Sequence, residues 1–488
     1  MTGNEIKMPV KVTPFDHQRR AFQFVLWLFG MTDGRVRSTG AALLMQMGTG
    51  KSLVGIAICG YLYLMKKIRR VLVVCPLSIC GVWQEEFAKF ANFPVQLVIL
   101  NGTAAKKRQQ IESLQDDGTL QVIVVNYESS WRLLPELQKY DADVIIADEG
   151  HKLKEGRTSQ SKGMHKLGDK ARYRLLLTGT PVANRELDIF SQYRFVNPDI
   201  FGKSFIPFRN RYFYMGGYEQ HEAIFKKSMT GEFLEKLHSI AFRVTKDECL
   251  NLPEVTEEIR TVDLEPAAAK LYAQIEEESW AEMKESEVTA ANVLTRILRL
   301  SQITGGFLND DDGNVNAVSK AKLEALSDII DGAVAAGEKL VIMARFRAEL
   351  DAIQQMVEKK RLSYGVVRGG ISDRAEQVSR FQNDPDCMIF IGQIQAAGMG
   401  LTLTAASTMV FYSCDYSMSN FDQAKSRIHR AGQKNNCLYI YLVVRNSIDG
   451  KVLKALRDKQ NLAKMLVDDA YLLPLVAIVL KSVTFTTE

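Results

Sequence analysis

Three clusters in this chain have the residue types and spacing for phosphoryl chemistry. Met47-Gly48-Thr49-Gly50-Lys51-Ser52 follows an apolar run ending at Met45 and precedes an apolar helical stretch. Glycines let backbone N–H groups face an anion, and the helix N-terminus adds a favourable dipole. The Lys51 ammonium reaches β and γ phosphates, and the Ser52 hydroxyl can ligate magnesium. The loop departs from strict G-x-x-x-x-G-K-[ST] spacing, because Met45 stands at the first glycine position. Asp148-Glu149-Gly150-His151 follows Val144-Ile145-Ile146-Ala147, so the acids emerge at the carboxyl end of a strand, where open α/β sheets bind ligands. Asp148 is suited to hold the metal, and Glu149 to orient or deprotonate the attacking water.

Gln423, Arg427 and Arg430 lie four and three residues apart, which on a helix gives them one face. Two guanidiniums neutralise charge developing on a transferring phosphoryl group, an effect of about a thousandfold or more. Each cluster alone has a plainer reading: a glycine turn capping a helix, a solvated acidic turn, a basic surface helix. Together they point to a nucleoside triphosphate site supplied from two halves of the chain.

Such groups need rigid elements behind them. Short apolar, β-branched runs alternate with helical segments, the pattern of parallel sheets covered by helices. In the first half the runs are residues 41–45, 71–75, 96–100, 122–125, 144–147 and 174–177; after 320 they are 339–343, 364–367, 388–391, 409–412 and 438–444. Two doubly wound α/β lobes are expected. Residues 186–318 show few strand-like runs and carry Glu276-Glu277-Glu278, so they read as helical insertion and connector. The junction is expected either near Leu252-Pro253 or at the polar cluster Asp310-Asp311-Asp312-Gly313-Asn314.

At 488 residues, 46% hydrophobic and 24% charged, the chain exceeds one ordinary core and is globular rather than disordered or fibrous. A net charge of +5 permits a polyanionic partner without requiring one. The seven cysteines contain no C-x-x-C pair and no Cys/His cluster at zinc spacing, so reduced thiols are expected. The first residues lack the apolar core of a signal peptide, and no apolar run reaches the roughly 20 residues needed to span a bilayer. A cytoplasmic protein is the expectation, with the short apolar stretch 471–480, interrupted by Pro474, read as packed helix or strand.

Taken in order, the motifs resemble superfamily-two helicases, and more closely the Swi/Snf-like ATPases in a short bacterial or phage form. The blocks that carry this resemblance run from about residue 12 to 457. They are Pro14-Phe15-Asp16-His17-Gln18, the phosphate loop, Val74-Cys75-Pro76-Leu77-Ser78 with Trp83 beyond it, and Asn126-Tyr127-Glu128. Asp148 to His151, Leu177-Thr178-Gly179-Thr180-Pro181 with Asn184, Gly398-Met399-Gly400-Leu401-Thr402-Leu403, and Arg427 to Gln433 follow. Asn197 to Gly202 and Arg243-Val244-Thr245-Lys246 resemble segments particular to the Swi/Snf-like group. Met45-Gln46 stands where that group has Asp-Glu, and Tyr416-Ser417-Met418 where it has Trp-Asn-Pro; neither change removes an atom the chemistry needs.

The resemblance implies two RecA-like doubly wound parallel-sheet lobes with helical insertions. It implies an ATP-binding lobe over 1–250 with a helical protrusion from about 186, a helical connector over 251–318, a helicase lobe over 319–460, and a tail over 461–488. It further implies that Gln18 recognises adenine, that Gly48, Thr49, Gly50, Lys51 and Ser52 hold the phosphates and Mg²⁺, and that Asp148 ligates the metal. Glu149 would position water, His151 and Thr178 couple hydrolysis to the cleft, Gly400 and Gln423 lie near the nucleotide, and Arg427 and Arg430 act as fingers. Nucleic-acid contacts are implied at Pro76, Leu77, Ser78, Asn126, Tyr127, Thr180 and Thr402.

The basic runs at Lys66-Lys67 with Arg69-Arg70, Lys106-Lys107-Arg108 and Lys359-Lys360-Arg361 extend a phosphate track or are solvated helix ends. No ladder of aromatics suits stacking of successive exposed bases. The resemblance, with which the missing ladder agrees, implies a DNA-dependent ATPase that translocates on double-stranded DNA and displaces or remodels bound complexes, with targeting left to DNA structure or to a separate protein partner. A strand-separating helicase and an ATP-gated scaffold with little turnover are the alternatives.

Overall fold

A computed structural model of the protein describes residues 6–179, 181, 185–216, 222–249, 252–285, 290–310, 314–370, 373–397 and 401–467. The chain forms two compact units, the first comprising Met1–Leu250 and Lys459–Glu488 and the second Asn251–Asp458.

The first unit contains β1 (Gly40–Met45), β2 (Arg70–Cys75), β3 (Val95–Ile99), β4 (Leu120–Asn126), β5 (Val144–Asp148) and β6 (Tyr173–Leu177). A hairpin of β7 (Phe213–Gly216) and β8 (Glu222–Phe225) follows, then β9 (Ala241–Val244). The main sheet has the order β3-β4-β2-β5-β6-β1-β9, with every pair parallel. β1, β4, β5 and β6 are buried along their whole lengths. Helical crossovers cover both faces of such a sheet, which is why these strands read as continuous apolar runs rather than alternating ones.

The second unit holds β10 (Val255–Val262), the small antiparallel pair β11 (Phe307–Asn309) and β12 (Val315–Ala317), then β13 (Leu340–Ala344), β14 (Ser363–Val367), β15 (Cys387–Gln393), β16 (Thr408–Phe411) and β17 (Cys437–Val444). Its sheet is β10-β17-β16-β13-β15-β14, again wholly parallel. β13 shows the period of two directly. Val341 and Met343 enter one apolar cluster, while Leu340, Ile342 and Ala344 enter another, so both faces of the sheet are packed. The two doubly wound parallel-sheet units stand as expected from the sequence.

Residues 186–318 differ from the helical expectation, since they supply β9 and β10 to the two sheets. β10 has the sequence Val-Thr-Glu-Glu-Ile-Arg-Thr-Val and lies at a sheet edge. Edge strands carry charge where central strands cannot, and this one uses it: Glu257 pairs with Lys425 and with Arg457 at 3.1 Å. The units part beside Leu252-Pro253. The other candidate junction instead closes β11 onto β12, where Asp310 Oδ1 accepts from Asn314 N–H at 2.7 Å. The apolar stretch 471–480 lies outside the described residues. Among the described residues no helix is long and apolar enough to cross a membrane.

Candidate nucleotide site

The phosphate loop joins the end of β1 to the helix Lys51–Leu64. Gly48 and Gly50 have φ of 84° and 88°, left-handed geometry that glycine adopts without a Cβ penalty. A Cβ on Gly50 would also stand 2.2 Å from Gln18 Nε2. That contact is part of how the helix Asp16–Leu28 braces the loop: His17 Nε2 and Gln18 Nε2 lie 2.8 Å and 3.1 Å from the Thr49 carbonyl. Gln18 Oε1 accepts from Phe15 N–H at 3.0 Å, which fixes the amide beside the loop. Thr49 is buried, its hydroxyl donating to the Gln46 carbonyl at 2.7 Å. Lys51 Nζ donates to the Met45 carbonyl at 2.9 Å and lies 3.4 Å from that of Gln46, so its ammonium is held over the mouth of the loop.

The acids leave the carboxyl end of β5. Asp148 Oδ2 accepts the Trp83 indole N–H at 2.9 Å, Oδ1 accepts Glu149 N–H at 2.9 Å, and its carbonyl accepts the Tyr127 hydroxyl at 2.9 Å. Burial first, then the adjacent Glu149 charge, pushes the Asp148 carboxyl up to about 7, against the pull of Lys51 and the Trp83 N–H. A positive ion beside it would reverse this balance. Glu149 sits at φ 51°, an uncommon conformation for a side chain other than Gly, Asn or Asp. Its Oε2 lies 3.3 Å from His151 Nδ1. Gly150 follows because a Cβ there would fall 2.1 Å from Leu176 Cδ1. Lys51, Ser52, Asp148 and Glu149 thus gather at the carboxyl ends of β1 and β5, strands separated only by β6.

In the second unit the helix Met418–Lys425 ends before the arginines, so Gln423, Arg427 and Arg430 do not share a helical face. The ending has local causes. The Ser426 hydroxyl and Arg427 Nε both take the Gln423 carbonyl, at 2.8 Å and 2.9 Å, and Arg427 N–H turns back to Ala424 at 3.0 Å. Side chains competing for the last carbonyls terminate helices in this way. The two arginines converge nonetheless, Arg427 Nη1 and Arg430 Nη1 donating to the Leu401 carbonyl at 3.1 Å and 3.0 Å. Gln423 is buried with Nε2 3.4 Å from Ser419 Oγ. Gln433 staples the same turn, its Nε2 reaching the Ala406 carbonyl at 2.8 Å and its Oε1 accepting Lys434 and Asn435 N–H. Gly400 lies outside the described residues.

Residues 17–306 match the SNF2-related domain, and residues 321–432 match the helicase conserved C-terminal domain. The chain belongs to the SNF2-related family. It is 26% identical over 457 residues to an uncharacterized ATP-dependent helicase of Mycoplasma genitalium, covering 91% of this chain and 42% of that protein. It is 26% identical over 514 residues to a RAD54-like DNA repair and recombination protein of Drosophila pseudoobscura pseudoobscura, covering 93% and 63%. This SNF2-related chain therefore spans roughly two fifths to under two thirds of the length of these relatives. The Sulfolobus solfataricus SWI2/SNF2 ATPase core, solved in complex with double-stranded DNA, aligns over 96% of each chain with 23% identity and a TM-score of 0.45.

The residues of the SNF2-related chain expected to meet nucleic acid fall into two sets. Leu77 is exposed at the end of β2, and Ser78 and Thr402 are half-buried. Tyr127, by contrast, is 1% exposed with its hydroxyl given to Asp148, and Asn126 is buried with Nδ2 on Glu128 Oε2 at 2.7 Å. Pro76 is buried as well. The Tyr127 side chain serves the acid box, not a ligand surface. Thr180 lies outside the described residues. Thr178 is fully buried, its N–H on the Leu43 carbonyl at 3.2 Å.

Three supporting residues were not identified from sequence. Trp83 and Arg243 appeared there only as family markers, and Gln46 only as a departure from the family pattern. Arg243, buried in β9, donates to the Leu44 carbonyl at 2.8 Å and the Gly179 carbonyl at 3.3 Å, tying the phosphate-loop strand to the block after β6. Gln46, one of the residues that depart from the usual Asp-Glu, accepts Lys246 N–H on Oε1 at 2.8 Å. The apolar neighbours Phe242 and Val244 mark a strand, but nothing in the sequence names the distant carbonyls that the Arg243 guanidinium holds.

Proposed function

We propose that this protein is a DNA-dependent ATPase that translocates on double-stranded DNA and displaces or remodels complexes bound there. The observation that carries the reading is the convergence of Lys51, Ser52, Asp148 and Glu149 at the carboxyl ends of β1 and β5 in one sheet. Lys51 and the loop N–H groups bind the β and γ phosphates of ATP. The Ser52 hydroxyl and the Asp148 carboxylate are hard oxygen donors suited to Mg²⁺, which, when bound, neutralises charge on the β and γ oxygens.

Glu149, strained at its backbone and held beside His151, orients the attacking water and accepts its proton. Arg427 and Arg430 supply positive charge to the transferring phosphoryl group. Backbone-directed contacts from Ser78, Thr402 and the N–H groups around them bind phosphates without reading sequence, as a translocating motor requires. The SNF2-related membership supports duplex DNA over RNA as the track.

Translocation is tested by displacement of a third strand from a DNA triplex. The protein displaces it in the presence of ATP and Mg²⁺, and Glu149→Gln does not. A third strand that stays bound while ATP is consumed would refute translocation.

A further inference from the structure

The first unit holds a cavity of about 670 Å³ beyond the acid box, within the size range of ligand pockets. Its walls come from the chain after Leu153, the helices Asp188–Val196 and Phe205–Tyr212, and the β7–β8 hairpin. Lys154, Arg157, Arg185, Lys203 and Arg209 line it. Among the described residues none of the five has a carboxylate at ion-pair distance, whereas Arg194 in the same wall is held by Asp169 at 2.7 Å and 2.8 Å. Glu155 and Asp188 are the acids of the lining, and Asp188 is buried with Oδ2 3.4 Å from Arg185 N–H. The balance of charge is positive, and crowding it into a concavity favours an anionic occupant.

The floor is not polar. Met215 and Ala223 are direct cross-strand partners on the hairpin, so they present one apolar face, and Phe205 meets it from the helix. Met215 is 37% exposed. A DNA backbone brings phosphates to the rim but leaves this apolar surface in water. An acidic segment carrying a bulky apolar side chain covers both.

We propose that this basin docks an acidic, amphipathic protein segment of a partner, with aspartates or glutamates on the cationic rim and one aromatic or aliphatic side chain on the Phe205–Met215–Ala223 floor. The surface lies on the same unit as the phosphate loop, and the proposal does not depend on what the ATPase cycle moves.

The probe is a fluorescein-labelled peptide alternating aspartate with phenylalanine and leucine, titrated with the full chain by anisotropy beside polyaspartate and a duplex oligonucleotide. The mixed peptide binds more tightly than polyaspartate. Lys203→Glu/Arg209→Glu weakens it by about tenfold or more, Met215→Ser weakens it without changing polyaspartate binding, and Lys66→Glu/Lys67→Glu leaves it unchanged. Equal binding by wild type and both basin variants overturns the proposal. So does a duplex affinity that falls in the charge-reversed variant while peptide affinity holds, which would make the basin a nucleic-acid surface. Absence of any peptide binding overturns it also.

Discussion

The Trp83 indole N–H lies 2.9 Å from Oδ2 of Asp148, and both side chains are buried. The bond crosses from the helix Cys80–Phe90 to the end of β5, so the carboxylate suited to metal is aimed by a residue on a neighbouring element. The indole also stands 3.8 Å from where a Cβ on Gly55 would be, which packs it against the phosphate-loop helix. One side chain thereby sets the spacing between loop and acid box.

Trp83→Phe keeps a ring in that space and removes the donor. A hydrogen bond to a charged group contributes about 1.5–3 kcal/mol, and its loss makes Asp148 easier to protonate. The Mg²⁺ concentration for half-maximal ATP binding at neutral pH should rise by about tenfold. A Mg²⁺ titration that overlays the wild type would show that the indole does not tune the carboxylate.

Lys51→Ala and Glu149→Gln should separate binding from chemistry. Lys51→Ala weakens nucleotide affinity, because the ammonium over the loop is gone. Glu149→Gln leaves affinity near that of wild type and lowers turnover by about a hundredfold or more, in the range of general-base catalysis. Fluorescent-nucleotide binding beside steady-state turnover checks both, and normal turnover in either variant contradicts the site.

Arg430→Ala should reduce turnover by about a thousandfold while nucleotide affinity stays near wild type. Arg430 and Arg427 both hold the Leu401 carbonyl, so Arg427 still braces the turn in this variant. Turnover within a few-fold of wild type would mean that Arg430 only shapes that turn.

Glu349 gives the second unit a pH dependence. Burial pushes its carboxyl up from 4.5 to about 7, opposed by N–H donors at Phe346 and Arg345 and by the Ser413 hydroxyl. The folded state therefore binds more protons than the unfolded state between these values, so this group's contribution to stability falls as pH rises through the window and is flat above it. Glu349→Gln should remove that fall, gaining at most about 3 kcal/mol relative to wild type above pH 7. Asp148, also raised to about 7, is present in both proteins and cancels in the comparison. Chemical denaturation from acid to neutral pH tests this, and a constant difference between the two proteins contradicts it.

The sheets were legible because buried parallel strands are apolar throughout. Residues 144–147 and 340–344 are short, β-branched apolar runs of this kind. β10 was not, because Glu257, Glu258 and Arg260 are affordable only at an edge with Lys425, Arg457 and Tyr441 opposite, and those partners lie far along the chain. Spacing placed Gln423, Arg427 and Arg430 on a helix, but the Ser426 hydroxyl and the Arg427 guanidinium take the carbonyl that would have continued it. The phosphate loop and acid box are local in sequence and were readable. What supports them is not: Trp83 to Asp148 and Arg243 to Leu44 are separated by 65 and 199 residues. Tyr127 illustrates the same limit, since a motif position does not reveal which way its side chain faces.

The central claim is a nucleotide site at Lys51, Asp148 and Glu149 that turns over in response to duplex DNA. Its most direct test is steady-state ATP hydrolysis by the purified chain alone and with matched duplex DNA, single-stranded DNA or RNA, using Glu149→Gln as control. Strong stimulation by duplex DNA, absent in the Glu149→Gln protein, is the expected result. Stimulation only by single strands or RNA, or turnover that survives Glu149→Gln, would contradict it.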